Sequence, residues 1–489
     1  MSRKPPEGST ITTAPSDPGE PSTEVLKLER HGIDYIPRSE RHGHPRDLFT
    51  LWFGANAMAV TLATGAIAGT TGLGLLWGSS AIIVGALIGT VFMAYHSAQG
   101  PRLGLPQMIQ SRAQFGFYGA NLPMIIVIAM YLGYYAGGAI LGAQALNLLS
   151  GMSVGVGVAL LTGLSLVLVL FGYNLMHRVG WIITPIYVVV FTLLTASLIG
   201  HWHSFTIASA IPAAHFQLKP FFFVVSIVAA YYISYGPYVA DYSRYLPVET
   251  STAQTFWYTY AGTIASAIWI MVLGAGIQIA FGHDDAITGT ARVASGMNAW
   301  LRSITLITLV FGLANIDALN IYGAMMSSLT IITSLFRHLT VNRFQRIAFI
   351  VALSVIGGLI AGAASNDFLH AYENFIFFIV TFLIPWSAIN LVDYYWIRKG
   401  RYVPAELFTP DGRYGRFNAA GLLSYTIGCL CQIPFISQEF YTGRIASQLG
   451  FDVAWIVGII VPGSLYYLLT RKKSGQLEAH AQLPESARG

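Results

Sequence analysis

About twelve mostly apolar stretches of membrane-spanning length recur along the chain, near residues 47–72, 79–99, 120–149, 152–173, 178–199, 220–245, 254–282, 302–335, 346–364, 369–397, 418–437 and 451–470. A helix needs roughly 20 such residues to cross the hydrocarbon core of a bilayer. Backbone polar groups find no water there, so helices are the natural solution for runs of this length. Only 10% of the 489 residues are charged, against 54% hydrophobic, and the mean hydropathy is +0.58. A soluble domain carries about 25% charged residues. The expectation is an all-α membrane protein of about twelve transmembrane helices.

The few charges are unevenly placed. With the N-terminus inside, cytoplasmic segments hold Arg102, Arg112, Arg178, Arg244, Arg337, Arg343, Arg346, Arg398, Lys399, Arg401, Arg413 and Arg416. External loops then hold only Lys219, Arg292, Arg302 and Arg444. The positive-inside rule places both termini in the cytoplasm, in agreement with an even number of spans. The stretch Met1–Thr23 is rich in Pro, Ser and Thr with no apolar run, and reads as a disordered tail. No basic block interleaved with aromatics speaks for nucleic acid. Cys429 and Cys431, two apart on different helix faces, read as packing residues. No phosphate-loop or H-E-x-x-H motif is present, so neither an enzyme nor an ATP-driven pump is expected. The histidine pairs His201/His203 and His42/His44 read as interfacial rather than metal-binding.

Two spans carry interruptions. The first reads Trp52-Phe53-Gly54-Ala55-Asn56-Ala57-Met58, with a glycine and an amide inside an apolar run. The sixth reads Ser234-Tyr235-Gly236-Pro237-Tyr238, where Pro237 removes a backbone donor and Gly236 permits an unwound path. Either could be a simple kink. As a pair in the first and sixth positions, they match the broken helices that form the binding site of inverted-repeat transporters.

Polar groups at membrane depth should face a cavity or a partner. The eighth span holds Asn315, Asp317 and Asn320. At about 100° per residue, Asp317 and Asn320 share a face while Asn315 points roughly away. This assigns Asp317 and Asn320 to a solute and Asn315 to a neighbouring broken helix; interhelical hydrogen bonding is the plain alternative. The third span offers Tyr131, Tyr134 and Tyr135, with Gly138 completing an i, i+4, i+7 stripe from Tyr131. Together with Tyr235 and Tyr238, these rings can sandwich a flat heterocycle, although tyrosine stripes also serve packing. Glu373 reads as structural, while Asp241 with Arg244, and Asp393, read as anchors at the inner membrane edge.

Several longer motifs carry a family likeness. Glu29-Arg30-His31-Gly32-Ile33, Glu40-Arg41-His42-Gly43 and Trp52-Phe53-Gly54-Ala55-Asn56 resemble the opening of the purine–cytosine permeases, of the nucleobase–cation symport group. Gly100-Pro101-Arg102-Leu103-Gly104 through Gly116, Ala240-Asp241-Tyr242-Ser243-Arg244-Tyr245, and Ile384-Pro385-Trp386 through Tyr395 are similar to later motifs of the same group. The resemblance implies a leucine-transporter-type fold of five plus five helices as inverted repeats, followed by two extra helices. It places the solute between helices one, three, six and eight, on Tyr131, Tyr134, Tyr135, the Tyr235–Tyr238 stretch and Asn320. It also implies ion coordination near Gly54 and Ala57, but Ala314 and Asn315 stand where sodium-dependent relatives carry hydroxyls. Asp317, ionisable at that depth, points instead to proton coupling.

The expected organisation is a tail over 1–45, a ten-helix core over 46–400 with repeats 46–200 and 219–400, two added helices over 401–474, and a tail over 475–489. The expected activity is secondary active import of a planar nucleobase-like ring, cytosine or a purine first, by H+ or Na+ symport through the plasma membrane. The alternatives are transport of a related ring (allantoin, hydantoin, uracil or a pyridoxine-like solute) or a solute-sensing membrane receptor that does not transport. The expected substrate-binding set is Tyr131, Tyr134, Tyr135, Tyr235, Tyr238, Asp317, Asn320 and Asn56. The expected coupling-ion set is Gly54, Ala57, Asn315 and Asp317. Beyond the coupling cation no cofactor is expected, and beyond solute and lipid no obligate partner.

Overall fold

The computed structural model describes residues 34–205, 215–282, 284–336, 341–365, 367–438 and 441–481. The tail expected over Met1–Thr23, the motif Glu29–Ile33 and Arg337 lie outside these residues. Within them the chain is helical apart from one two-stranded ribbon, Ser437–Gln438 with Tyr441–Thr442.

Each apolar stretch of the sequence contains a long helix or a bent pair. The first is a pair, α1 (Asp47–Asn56) and α2 (Ala59–Thr70), bent by 58°. There follow α3 (Gly74–Ser97), α4 (Asn121–Ser150), α5 (Val154–Phe171) and α6 (Tyr173–Gly200). The sixth stretch is again a pair, α7 (Leu218–Ile233) and α8 (Gly236–Ser243), bent by 42°. Then come α9 (Thr252–Ala280), the short amphipathic α10 (Ala286–Met297), α11 (Ala299–Leu335), α12 (Arg343–Ala364) and α13 (Phe368–Val392). The last two are α14 (Ala419–Gln432), the shortest of the apolar set, and α15 (Ala454–Ala481).

Local chemistry sets many of the boundaries. Ser153, Ser251, Asp285, Asn298 and Asn418 cap helix N-termini with side-chain oxygens, and Asn342 with Gln345 forms a reciprocal capping box at α12. Small residues set the packing distance. A Cβ at Gly65 would overlap the Met271 backbone, and one at Gly274 would overlap the Leu62 backbone. The paired glycines therefore let α2 and α9 run in backbone contact, as membrane helices do where no hydrophobic effect drives them together. The other extensive seams join α4 to α11 and α3 to α7. These seams hold the two bent pairs in the interior, while large apolar side chains such as Trp181, Leu359 and Leu76 point outward.

Candidate solute and coupling site

The break after α1 is made by Asn56. Its Nδ2 turns back to donate to the Trp52 carbonyl (2.8 Å), which leaves Oδ1 buried without a partner. The Ala57 N–H reaches back to the Phe53 and Gly54 carbonyls (3.1 and 3.2 Å), so the Gly54 carbonyl already accepts one bond. Met58 is extended (φ −147°, ψ 166°) before α2 begins. The break after α7 is closed by Ser234, whose Oγ donates to the Tyr231 carbonyl (2.6 Å) and meets the Tyr134 hydroxyl from α4 at 2.5 Å. Pro237 falls in the first turn of α8, where a missing N–H costs nothing.

A layer of tyrosines fills the space between the two breaks. Tyr131 lies 5.9 Å from Tyr238 between ring centroids, Tyr235 lies 5.3 Å from Tyr238, and Trp52 closes on Tyr235 at 6.2 Å. Tyr134 stands edge-on to Tyr231 (6.1 Å) and Phe375 (5.3 Å). Hydroxyls link the layer: Tyr231 to Tyr235 (2.8 Å), Tyr231 to Thr61 (3.1 Å) and Tyr372 to Thr64 (3.2 Å). A flat guest stacked between two rings needs about 7 Å from ring to ring, twice the ordinary carbon contact distance. The Tyr131–Tyr238 pair must therefore part by about 1 Å to admit one.

The face of α11 completes the arrangement. A Cβ at Gly323 would lie 2.5 Å from the Tyr131 ring, and a Cβ at Gly138 of α4 would overlap the Asp317 carboxylate. Asn320 is three residues from both Asp317 and Gly323, so it projects between those contacts toward α4. Its Nδ2 has no hydrogen-bond partner. Both Asp317 oxygens are likewise unpartnered in a fully buried side chain.

Tyr135 stands apart from the other four tyrosines. Its ring packs on Gly357 of α12 and sits among Val169, Met176 and Ile321. Its hydroxyl, like that of Tyr187, is buried without a hydrogen-bond partner. The expected coupling residues also divide. Asn315 and Gly54 both face α6, at Gly180 and one turn further at Thr184, whereas Asp317 faces α4. Ala57 is buried at the first break.

At the arginine-rich end, Asp241 accepts the Gln107 N–H (2.7 Å) and Arg244 donates to the Asp241 and Asp34 carbonyls. Burial works against the charge of Arg398, but Asp393 at 3.0 Å outweighs it and holds the guanidinium above its ordinary value. Burial pushes Arg112 down to about 10, which leaves it charged at neutral pH beneath the Phe117 ring.

Trp52, Thr61, Thr64, Tyr231, Ser234 and Tyr372 belong to this site although the motif reading did not select them. Tyr231 carried a usable signal, since it lies one helical turn before Tyr235.

A helical membrane bundle whose first and sixth spans break beside a shared polar layer is the architecture of a secondary transporter. The family of permeases for cytosine/purines, uracil, thiamine and allantoin matches residues 35–458, and the chain belongs to that family. YxlA of Bacillus subtilis (strain 168), provisionally named a purine-cytosine permease, is 42% identical over 94% of this chain and 100% of its own. The purine-cytosine permease fcyB of Emericella nidulans is 25% identical over 91% of this chain and 88% of its own. Among solved structures, the inward-facing conformation of Mhp1 shares the fold with a TM-score of 0.74 at 18% identity, over 93% of this chain and 96% of that one. The protein is thus a multi-pass membrane transporter and not an enzyme.

Proposed function

We propose that this chain imports cytosine or a purine base by proton-coupled symport, alternating access around the tyrosine layer. The observation that carries the reading is the coincidence of flat rings with unpaired amide atoms, Asn56 Oδ1 at the first break and Asn320 Nδ2 on α11. Asn56 offers an acceptor and Asn320 a donor, and a nucleobase edge presents the complementary N–H and C=O groups beside a stackable face. The family match and the purine-cytosine permease names of the relatives support the solute class. Tyr131, Tyr134, Tyr235 and Tyr238 contribute rings, while Tyr135 packs on Gly357 outside the layer.

Asp317 is the proposed proton carrier. An ionised carboxylate with no partner at this depth costs several kcal/mol, so its proton would be taken up and released as the surroundings change. The absence of hydroxyls at Ala314 and Asn315 argues against a sodium site built on Gly54 and Ala57. The arginine distribution supports an orientation with both termini cytoplasmic, and the proposed organisation is a ten-helix core over 46–400 followed by two added helices over 401–474.

Uptake of radiolabelled cytosine into proteoliposomes tests the reading, with adenine, hypoxanthine, uracil, allantoin, hydantoin and pyridoxine as competitors. Cytosine and purines should compete, and a protonophore should abolish accumulation. Displacement by allantoin or pyridoxine but not by purines would reject the solute class. Accumulation that survives the protonophore yet needs external sodium would reject the coupling ion.

A further inference from the structure

A file of buried side-chain amides that the solute site does not use runs from the hinge of the sixth span to the arginine-rich end of the tenth. It begins at His96 in the last turn of α3, which is fully buried and lies flat on Trp386 of α13, with ring centroids 4.8 Å apart and planes 13° from parallel. Gly236, the first residue of α8, seats on both rings. A Cβ there would lie 3.1 Å from His96 Cδ2 and 3.2 Å from Trp386 Cζ3. His96 Nε2 is 2.8 Å from Ser387 Oγ, and Nδ1 is 3.2 Å from Gln107 Nε2.

From Gln107 the contacts continue in one sense. Gln107 Nε2 donates to Gln99 Oε1 (3.3 Å), Gln99 Nε2 to Asn390 Oδ1 (2.8 Å), Asn390 Nδ2 to Gln114 Oε1 (3.4 Å), and Gln114 Nε2 to Asp393 Oδ2 (2.8 Å). Asp393 is fully buried, paired with Arg398, and accepts the Tyr402 and Tyr466 hydroxyls at 2.6 and 2.8 Å.

The order of this file follows from its charged end. An ionised carboxylate only accepts, so the amide beside it must present its NH2. Gln114 then has its oxygen toward Asn390, Asn390 toward Gln99, and Gln99 toward Gln107. Inverting any single amide sets two oxygens or two NH2 groups face to face. The sequence ends with Gln107 donating to Nδ1, so His96 carries its proton on Nε2 and donates to Ser387. Gln107 Oε1 is left without a partner. The opposite order is therefore blocked for as long as Asp393 holds Gln114.

We propose that His96 is a positioning residue of the transport cycle, holding the α8 hinge against α13 in the Nε2–H tautomer that Asp393 dictates through the four amides. The rocking step requires the Asp393 end to release Gln114, which couples the cytoplasmic end of α13 to the hinge beside the solute. This rests on the alternating-access reading and is independent of which cation is coupled.

The test uses the full chain in nanodiscs, labelled with 15N-histidine, with the His96 signals identified by their loss in His96→Gln. Nitrogen NMR should show the Nε2–H tautomer in the wild type. Gln99→Met, which severs the file at a residue that makes no hydrogen bond to the His96 ring, should give mixed tautomers. In proteoliposomes the same variant should lower the Vmax of radiolabelled cytosine exchange about tenfold with Kd within twofold; Gln114→Met serves if Gln99→Met does not fold. An Nδ1–H or doubly protonated ring in the wild type would overturn the proposal. So would an unchanged Vmax, or a Vmax loss matched by a loss of cytosine binding. The NMR arm needs no solute, so its failure is separable from a wrong solute assignment.

Discussion

Replacing Asp317 by asparagine separates solute movement from its energy source. The carboxyl is fully buried, neither oxygen has a partner, and the Gly138 backbone lies against it. An asparagine has the same shape and carries no charge, so Asp317→Asn should change stability by less than about 1 kcal/mol, within the range of volume-conserving changes. Its effect on coupling should be large. One proton moving down a gradient of one pH unit yields about 1.4 kcal/mol, and 100 mV adds about 2.3 kcal/mol. Together these permit about 500-fold accumulation, at tenfold per 1.4 kcal/mol. In proteoliposomes under that gradient the wild type should concentrate radiolabelled cytosine toward this limit. Asp317→Asn should only equilibrate it, while still exchanging internal for external cytosine. A variant that still concentrates cytosine more than tenfold would show that the coupling proton rides elsewhere.

Further tests address the other groups. Asn320→Ala should abolish cytosine uptake at normal surface abundance, and intact uptake would remove this amide from the site. Tyr131→Ala loses a stacking face of about 1–3 kcal/mol, so KM should rise about 5- to 150-fold; an unchanged KM would make the ring a packing element. At Asp452, burial lifts the carboxyl to about 6 from the ordinary 3.8, against the pull of the Ser437 and Ala454 N–H groups. A raised folded-state value means that stability is fully present below about pH 4 and is lost as pH rises through 6, by about 3 kcal/mol. The Tm in nanodiscs should fall between pH 4.5 and 7.5, and Asp452→Asn should flatten the profile; a wild-type Tm that climbs over this window would refute the assignment.

The features legible in the sequence were those whose cause is local. The helical character and rough extent of the apolar stretches follow from hydropathy, because each helix satisfies its own backbone in lipid. The two breaks were legible because Asn56 and the Gly236–Pro237 pair act on the residues beside them, and the bends of 58° and 42° fall there. Periodicity also placed Asp317 and Asn320 on one face of α11. It could not tell which ring of the Tyr134–Tyr135 pair turns inward. Adjacent residues on a helix differ by about 100°, and the choice rests on Gly357 of α12, more than 200 residues away, which opens room for Tyr135 alone.

The amide file escaped sequence reading for a related reason. Gln99, Gln107, Gln110 and Gln114 crowd one short connecting segment, which is a visible concentration of amides near a membrane boundary. A glutamine nevertheless has no preferred partner until the fold supplies one, and here the partners Asn390 and Asp393 lie some 280 residues further along the chain. In water such amides would exchange partners freely. In a buried seam each must find one, and the single ionised group at the end then sets the order of all the others. The order can therefore be deduced only once the carboxylate and the amides are known to be neighbours. That is why His96, which looks like an isolated polar residue in an apolar helix, acquires a defined tautomer only through the packing of α3 against α13.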